Sequence, residues 1–351
     1  MLKHAVTVLR RTKNELSYDV KNGEYHKVWH FLRTAPKMAW FGYPKTITIE
    51  PTNMCNINCE FCSTPPACIE RKPCGMEMDD FRRVVDNIKN HTHFVWFFLA
   101  GDPLMNKQFP EMAQYATRAG LHTTTSTNGL AMNRDVADRL LNSNLDRLII
   151  SFDGITKESY EVMRRGSNFE RVKENIEYLA ARKRELGKIK PIIELQMIIT
   201  KFNDGEEEEY GKWAESLGAE YNFKTLGIPS WFRSEEECDA IAEKFLPDNE
   251  KSRYKKVNGR YVSNVGEAME LKRAPQCGNV QRPVIFSNGD LAICCYDIKG
   301  KYNMGNAIET DFKELWTNPR YKKMRQAMAD RQLELCKVCG ETNELNLKAR
   351  V

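Results

Sequence analysis

The chain has 351 residues, of which 41% are apolar and 29% are charged, enough for one large domain or two modest ones. Its net charge of +5 is small for this length and argues against nucleic acid as the main partner. The sequence has eleven cysteines, no signal-peptide pattern and no apolar run of roughly 18 residues, so we expect a soluble, reduced, cytoplasmic protein rather than a secreted disulfide scaffold.

Residues 1–44 are predicted to be a helical lead-in, and they are the most basic part of the chain. They hold eight Lys and Arg against three Asp and Glu, together with the aromatic residues Trp29, Trp40, Phe41 and Tyr43. Basic and aromatic residues in one helical segment are typical of helices that lie on a membrane surface. We nevertheless expect this segment to pack against the main domain, and we do not expect membrane contact.

A loop with three cysteines follows the first predicted strand, and the rest of the chain is organised around it. Cys55, Cys59 and Cys62 are separated by three and two residues, so their thiolates can converge on one metal centre. Thiolates favour iron–sulfur clusters or zinc. A closed zinc site needs a fourth ligand, and the prolines before Cys68 and Cys74 make a compact fourth-ligand geometry less natural. On a four-iron cluster, three thiolates leave one iron open.

This Cys-x3-Cys-x2-Cys spacing, with aromatic Phe61 before the last cysteine, resembles the signature of the radical S-adenosylmethionine (radical SAM) superfamily. The resemblance implies a 4Fe–4S cluster on Cys55, Cys59 and Cys62, whose open iron binds the amino and carboxylate groups of SAM. It also implies that an electron from the cluster cleaves SAM to a 5′-deoxyadenosyl radical, which abstracts a hydrogen atom. Phe61 stands where the family flanks the adenine. We therefore expect a radical SAM oxidoreductase, supplied with electrons by a flavodoxin- or ferredoxin-type reductant.

The segment from 45 to 227 alternates between strand and helix patterns. Asn133 and Asn168 stand where helix N-caps are expected. Strands that alternate with helices imply an α/β fold with a parallel sheet. Six such units match the partial (β/α)6 TIM-like barrel that the resemblance implies. The predicted strands cover 45–50, 93–99, 121–126, 147–152, 190–199 and 219–226.

Polar residues close the second, third and fourth strands, where parallel α/β folds bind their ligands. Gly101 and Asp102 stand where the family usually has Gly-Gly-Glu-Pro, which receives the SAM amino group. The shorter Asp favours a backbone contact over a direct carboxylate contact. Each position is weak alone because polar residues commonly close strands, but they share one edge of the sheet. The other predicted cofactor-binding residues are Ser126, Asn128, Ser151 and Asp153; no catalytic residue is predicted.

Residues 228–274 are charged and irregular and are predicted to be a connector with one or two helices. A second cysteine group follows in 275–351. Asn288-Gly289, flanked by alternating apolar residues, predicts a hairpin, which brings Cys294 back beside Cys277. Four thiolates suit either zinc or an iron–sulfur cluster, so the spacing leaves both open. The four predicted ligands are Cys277, Cys294, Cys336 and Cys339.

The second group resembles the start of a SPASM-type auxiliary cluster domain. The resemblance rests on the eleven residues between Cys277 and Gly289, the four between Gly289 and Cys294, and Met304-Gly305-Asn306. A full SPASM domain carries seven cysteines and two clusters. With four assigned cysteines, the resemblance implies the shortened twitch form with one auxiliary 4Fe–4S cluster, and hence two clusters in the chain. Cys295 is a rival of Cys294 as a ligand, and the glycine spacing favours Cys294.

An auxiliary cluster beside a radical site favours net two-electron oxidation, because the cluster can accept the electron left on a substrate radical. The alternative is a radical epimerase, in which Cys68, Cys74 or Cys238 returns a hydrogen atom. A remote alternative is a non-catalytic iron–sulfur electron carrier, against which the intact three-cysteine loop argues.

The sequence favours a small hydroxylated substrate, of the sugar or aminocyclitol type, over a ribosomal peptide. Peptide-modifying relatives usually add a leader-binding module of domain size before the barrel. Only about 44 residues stand there in this chain, near the minimum for an independently stable domain. A ribosomal peptide maturase is the alternative.

Overall fold

The structure, a computed structural model, describes residues 16–62, 69–228, 233–249, 251–257, 260–263 and 277–337. Its strands are β1 (Thr46–Ile49), β2 (Phe94–Phe97), β3 (His122–Thr127), β4 (Arg147–Ser151), β5 (Ile192–Ile199), β6 (Glu220–Thr225), β7 (Tyr254–Val257), β8 (Arg260–Ser263), β9 (Val284–Ile285), β10 (Asp290–Ala292) and β11 (Asn303–Asn306). Its α-helices are α1 (Tyr25–Phe41), α2 (Met78–Ile88), α3 (Phe109–Arg118), α4 (Arg134–Asn142), α5 (Lys157–Met163), α6 (Phe169–Glu185), α7 (Glu207–Leu217), α8 (Glu235–Phe245), α9 (Phe312–Thr317), α10 (Pro319–Ala329) and α11 (Glu334–Lys337). In the part of the chain described, no helix has the length and apolar character to cross a membrane.

Six parallel strands form the centre of the fold, with β1 to β6 paired side by side in chain order. Buried and half-exposed residues alternate along β5. Its buried residues Leu195 and Met197 share one apolar core with the helix residues Val172 and Ile176. Helices therefore cover one face of the sheet. The predicted α/β fold is confirmed, and the sheet is open, as in a partial barrel.

The helices begin where the sequence predicts. The side chain of Asn133 accepts a hydrogen bond from Val136 N and caps α4, and the side chain of Asn168 accepts one from Arg171 N and caps α6. Such caps satisfy backbone donors that have no partner within the helix. Short polar side chains therefore determine where these two helices begin.

The region after residue 277 extends the same sheet. β9 pairs in parallel with β1 and antiparallel with β10, which pairs in turn with β11. Gly289 lies in the turn between β9 and β10 with φ of 86°, a conformation that glycine adopts without strain. The hairpin predicted from Asn288-Gly289 is confirmed. The parallel pairing of β9 with β1 was not predicted.

Helix α1 packs across the amino ends of the strands. Lys27 pairs with Asp146, directly before β4, at 2.5 Å. The His30 Nε2 atom lies 2.6 Å from the carbonyl oxygen of Lys89. Phe31 is buried on the same side of the helix. The helix therefore lies at the end of the barrel opposite the carboxyl ends of the strands.

Between β6 and β9 the described residues form helix α8 and the antiparallel pair β7–β8. The sequence-based division into 1–44, 45–227, 228–274 and 275–351 stays a prediction. β1 to β6 fall within the second of these segments, and β9 to α11 fall within the fourth.

Candidate cofactor site

A cavity of about 240 Å³ opens at the carboxyl ends of β1 to β4. Three groups meet in it: the thiols of the cysteine loop, polar side chains at strand ends, and one guanidinium. A concave site with a few convergent polar groups is where α/β folds bind ligands. Its lining residues are Cys55, Ile57, Asn58, Cys59, Cys62, Phe98, Leu99, Gly101, Asp102, Ser126, Thr127, Asn128, Ser151 and Arg164.

The three cysteines of the loop all face this cavity, as the sequence predicts. Cys59 is buried, and Cys55 and Cys62 are half-buried. Burial raises the pKa of Cys55 to about 11 and also raises the pKa of Cys59. A thiol binds a metal as the thiolate, so metal binding releases the proton of each cysteine. Three thiols on one cavity wall fit a soft metal centre such as an iron–sulfur cluster.

The backbone before Cys55 is fixed by hydrogen bonds to a neighbouring strand-like segment. Asn53 Nδ2 donates to Lys72 O at 2.8 Å, and Cys74 N donates to Asn53 Oδ1 at 2.8 Å. Thr52 Oγ1 donates to Cys74 O at 2.9 Å. The backbone of Cys74 therefore supports the start of the cysteine loop. Cys68 lies outside the described residues.

Gly101 lets the loop after β2 touch the cysteine loop. A Cβ atom at this position would lie 2.4 Å from Met54 O and 2.7 Å from Met54 N. The φ angle of Gly101 is also 69°, which side chains rarely adopt. Directly afterwards, Asp102 N donates to Met54 O at 2.8 Å. Only glycine fits here, so the Gly101 signal in the sequence marks a contact between two cavity walls.

Asp102 is buried and already accepts several hydrogen bonds. Its carboxylate accepts from Leu104 N at 3.0 Å, from Thr127 Oγ1 at 2.9 and 3.0 Å, and from Asn128 N at 2.7 Å. Burial raises the pKa of Asp102, and these donors oppose the shift. The side chain therefore braces the ends of β2 and β3. Its predicted contact with the SAM amino group stays a prediction.

The other strand-end residues are divided between the cavity and its support. Ser126 and Ser151 line the cavity. Asn128 also lines it, and its Nδ2 atom donates to Asn56 Oδ1 at 2.8 Å within the cysteine loop. Phe61 lies beside the cavity rather than in its lining, where it packs edge-on against Phe245 with ring centroids 5.5 Å apart. The predicted cofactor contacts of these residues stay predictions.

Arg164 is a cavity residue that was not predicted from the sequence, because it follows α5 rather than a strand. Its Nη2 atom lies 2.5 Å from Asp153 Oδ2, and its Nη1 atom donates to Cys59 Sγ at 3.9 Å. Burial opposes the charge, but Asp153 and Cys59 outweigh burial and raise the pKa of Arg164. Its Nε atom is buried without a hydrogen-bond partner among the described residues. The guanidinium therefore places a positive charge in the lining of the cavity, which fits a ligand carboxylate.

Asp153, predicted to bind the cofactor, is fully buried behind Arg164. Its Oδ1 atom accepts from Ile198 N at 2.7 Å. Burial raises the pKa of Asp153, and Arg164 opposes the shift. The structure therefore shows Asp153 as the partner that orients Arg164, and not as part of the cavity lining.

The second cysteine group lies around the β9–β10 hairpin. Cys294 is buried, and its Sγ atom accepts from Tyr296 N at 3.4 Å. Burial raises the pKa of Cys336, and the nearby Cys277 thiol adds to the shift. Burial raises the pKa of Tyr321, and Cys294 contributes to the shift. Cys339 lies outside the described residues, and the choice between Cys294 and Cys295 stays a prediction.

Comparison with known proteins gives two family matches. Residues 49–211 match the radical SAM superfamily, and residues 277–340 match the SPASM iron–sulfur cluster-binding domain. Among curated relatives, the mycofactocin maturase MftC of Mycobacterium ulcerans is 24% identical over 309 residues, which cover 85% of this chain and 80% of that protein. A PqqA peptide cyclase of Rhodopseudomonas palustris is 29% identical over 114 residues, which cover 32% of this chain and 30% of that protein.

Two solved structures share the fold. Streptococcus suis SuiB bound to its precursor peptide SuiA has a TM-score of 0.56 at 16% identity, with 92% of this chain and 76% of that chain covered. BtrN in complex with AdoMet and 2-DOIA has a TM-score of 0.50 at 16% identity, with 86% of this chain and 96% of that chain covered.

The family matches and the geometry agree on the cofactors. A radical SAM domain implies a 4Fe–4S cluster and SAM, and a SPASM domain implies auxiliary iron–sulfur binding. Three thiols beside a positively charged guanidinium fit the first pair, and the thiols of the second group fit the auxiliary site. The chain therefore belongs to the radical SAM superfamily and carries a SPASM iron–sulfur domain.

Proposed function

We propose that this radical SAM enzyme oxidises a peptide substrate. The observation that carries the proposal is a row of polar side chains from the cofactor cavity to the edge of the sheet. Ser151 in the cavity wall is in direct register with Gln196 on β5, which is in register with Asn222 on β6. The row covers roughly 10 Å, because neighbouring strands lie about 4.8 Å apart.

The row ends at a strand edge that suits an extended peptide. β6 is the last strand of the nine-stranded sheet, and no described strand pairs with its outer edge. Backbone groups at such an edge can pair with an added strand. Gln196 and Asn222 are half-exposed, and their amide groups can both donate to and accept from a peptide backbone. The likeness to a peptide cyclase over part of the barrel supports the same substrate class.

The residues of the cavity have separate tasks in this proposal. When bound, the cluster and SAM supply the radical that removes a hydrogen atom from the substrate. Arg164, oriented by Asp153, holds the SAM carboxylate through the positive charge of its guanidinium. Gly101 and Asp102 keep the cysteine loop and the ends of β2 and β3 in contact. Ser126 and Ser151 offer hydroxyl groups on the cavity wall.

We favour net oxidation over epimerisation because of where the remaining thiols lie. An epimerase needs a cysteine beside the substrate radical. Cys74 and Cys238 are described, and neither lines the cavity. The auxiliary site, with Cys277, Cys294 and Cys336 among its predicted ligands, is available to accept the second electron.

Turnover with candidate substrates tests the proposal. The reconstituted enzyme is incubated without oxygen with SAM, a reductant and a candidate substrate. The candidates are short peptides encoded by neighbouring genes, or small hydroxylated molecules made by the enzymes that those genes encode. We expect 5′-deoxyadenosine to form faster with a peptide, and the peptide to lose two hydrogens by mass spectrometry. Gln196→Ala and Asn222→Ala should raise KM for the peptide. Turnover with the small hydroxylated molecule alone would contradict the proposed class.

A further inference from the structure

Helix α1 presents a stripe of large apolar side chains to solvent. The five most exposed large apolar residues in the described part of the chain all belong to this helix, and Trp40 and Trp29 lead them at 82% and 67% exposed. Four of the five, together with Pro36, are three or four positions apart along the chain, so they lie on one face of the helix. The stripe consists of Tyr25, Trp29, Leu32, Pro36 and Trp40.

The stripe lies directly opposite the face by which α1 is held to the barrel. Lys27, Phe31 and Thr34 are buried on that inner face. Lys27 pairs with Asp146, and the Cβ atom of His30 lies 2.7 Å from where a Cβ on Gly120 would stand, so the helix sits tightly on the barrel. The stripe is therefore an outward surface of a fixed helix. A contiguous exposed apolar surface of this kind marks a binding surface.

The charged residues within α1 all have one sign. α1 contains no Asp or Glu. His26, Arg33 and Lys37 are exposed along one side of the stripe. The first 44 residues carry eight basic and three acidic residues, so they account for all of the chain's net charge of +5. The partner of this surface should therefore be apolar and anionic.

Although the sequence led us to expect no membrane contact, we propose that the stripe on α1 is a docking surface for an anionic lipid bilayer. Trp and Tyr have an apolar body and a polar tip, and they prefer the boundary between lipid and water. Basic residues beside such a stripe attract anionic headgroups. From Tyr25 to Trp40 the stripe is about 22 Å long, which suits an extended surface such as a bilayer. A second copy of the chain fits less well, because a two-fold pairing would bring Arg33 and Lys37 close to their own counterparts.

This orientation leaves the cofactor site accessible. α1 lies at the amino ends of the strands, where it contacts Asp146 before β4 and Lys89 before β2. The cavity with Cys55 and Arg164 lies at the carboxyl ends. A bilayer on α1 therefore faces away from the cavity mouth, and docking does not compete with substrate entry.

The proposal is tested by vesicle co-sedimentation of the full-length, cluster-loaded protein. The probes are vesicles of phosphatidylcholine alone and of phosphatidylcholine with phosphatidylglycerol. We expect binding to the anionic vesicles with a blue shift of tryptophan emission, and at least tenfold weaker binding for Trp29→Ser with Trp40→Ser. Arg33→Glu with Lys37→Glu should remove the preference for anionic vesicles. The matched control is Val162→Ser with Phe202→Ser, two exposed apolar residues away from α1, which should bind like the wild type.

Three results would overturn the proposal. The first is wild-type protein that binds neither kind of vesicle. The second is vesicle binding that the two tryptophan substitutions leave unchanged. The third is a dimer, seen by sedimentation equilibrium, that the same substitutions dissociate while no vesicle binds, which would assign the stripe to a second copy. Iron content and circular dichroism of each variant establish that it is folded.

Discussion

Arg164 and Asp153 form the charged pair behind the cofactor cavity. Arg164 has one buried donor, Nε, without a partner among the described residues, and its other nitrogens face Asp153 and Cys59. SAM carries a carboxylate, and hydrogen bonds to charged groups contribute roughly 1.5–3 kcal/mol each. We therefore propose that the side chain contributes to SAM affinity and takes no part in the chemistry of the substrate.

We expect loss of this pair to weaken SAM binding by roughly ten- to hundredfold. Because Arg164→Gln alone would leave the buried Asp153 without its cation, the variant also carries Asp153→Asn. The dissociation constant of SAM is measured by equilibrium dialysis at equal iron content. Arg165→Gln is the control, since Arg165 is 67% exposed and pairs with Glu60 at 3.5 Å. Equal SAM affinity in the double variant and the wild type would contradict this role.

The two adjacent cysteines of the hairpin give a second prediction. Cys294 is buried and its sulfur accepts a backbone hydrogen bond from Tyr296, as thiolate ligands do. We expect Cys294→Ala to lose the auxiliary cluster, about four of the eight irons that two 4Fe–4S clusters hold, and Cys295→Ala to keep it. Iron analysis and electron paramagnetic resonance after reconstitution measure the outcome. Iron loss only in Cys295→Ala would assign the ligand to Cys295.

The sequence predicted the cysteines of the site better than its other side chains. Cys55, Cys59 and Cys62 are close in the chain, so their spacing alone brings them to one cavity wall. Arg164 reaches the cavity from a helix end thirteen residues after Ser151, the last residue of β4, and no local pattern marks its direction. Asp153 was predicted as a cofactor contact because it follows a strand, and its burial depends on packing that the sequence does not display.

At the scale of elements, the contact between the loop after β2 and the cysteine loop depends on Gly101. A side chain there would meet Met54 O at 2.4 Å in a backbone conformation with φ of 69°. We expect Gly101→Ala to cost more than about 3 kcal/mol of unfolding free energy, because a steric overlap is added to the strain of a positive φ. The cluster on the neighbouring cysteines should also be lost more readily.

The control for this prediction is Gly187→Ala. Gly187 has a similar φ of 59° with no atom within 4 Å of the added Cβ, so the cost should be only about 1–2 kcal/mol. Urea unfolding of the cluster-loaded proteins, with iron release followed in parallel, compares the two. Equal losses of stability would mean that the close approach of the two loops is unimportant.

The order of the strands and helices along the chain could be predicted from the sequence, but the pairing of the strands could be predicted only in part. Strand and helix periodicities and the caps Asn133 and Asn168 are local signals, so β1 to β6 and most of the helices between them were predicted. The short helix α5 was not predicted. The parallel pairing of β9 with β1 joins residues more than two hundred positions apart, at Thr48 and Val284 and at Ile49 and Ile285. Such a register depends on tertiary packing, and two-residue strands carry no periodicity to reveal it.

At the scale of the whole molecule, one buried ion pair connects the cysteine loop to the auxiliary region. Arg71 donates to both oxygens of Glu50 at 2.8 Å, and its Nε atom donates to Ile298 O at 2.7 Å. Its guanidinium lies 3.8 Å from the ring centroid of Phe286. Glu50 also accepts from Ser287 Oγ at 3.1 Å. The side chain of Glu50 is fully buried, so each of these contacts compensates a charge that cannot reach water.

We expect Arg71→Met to destabilise the protein by about 3–5 kcal/mol, because it leaves the Glu50 carboxylate buried without its cation. Arg71→Met with Glu50→Gln should recover much of that loss, since the uncompensated charge is then removed. Arg82→Met is the control: Arg82 pairs with Asp79 at 2.7 Å in solvent, and an exposed pair contributes about 0–1 kcal/mol. Denaturant unfolding without oxygen measures all three variants, with the auxiliary cluster signal as a second observable.

The buried pair sits between the cofactor loop and the β9–β10 hairpin, so Arg71→Met should also weaken the auxiliary cluster while Arg82→Met leaves it intact. If Arg71→Met costs no more stability than Arg82→Met, the two regions are held together by the shared sheet and not by this pair.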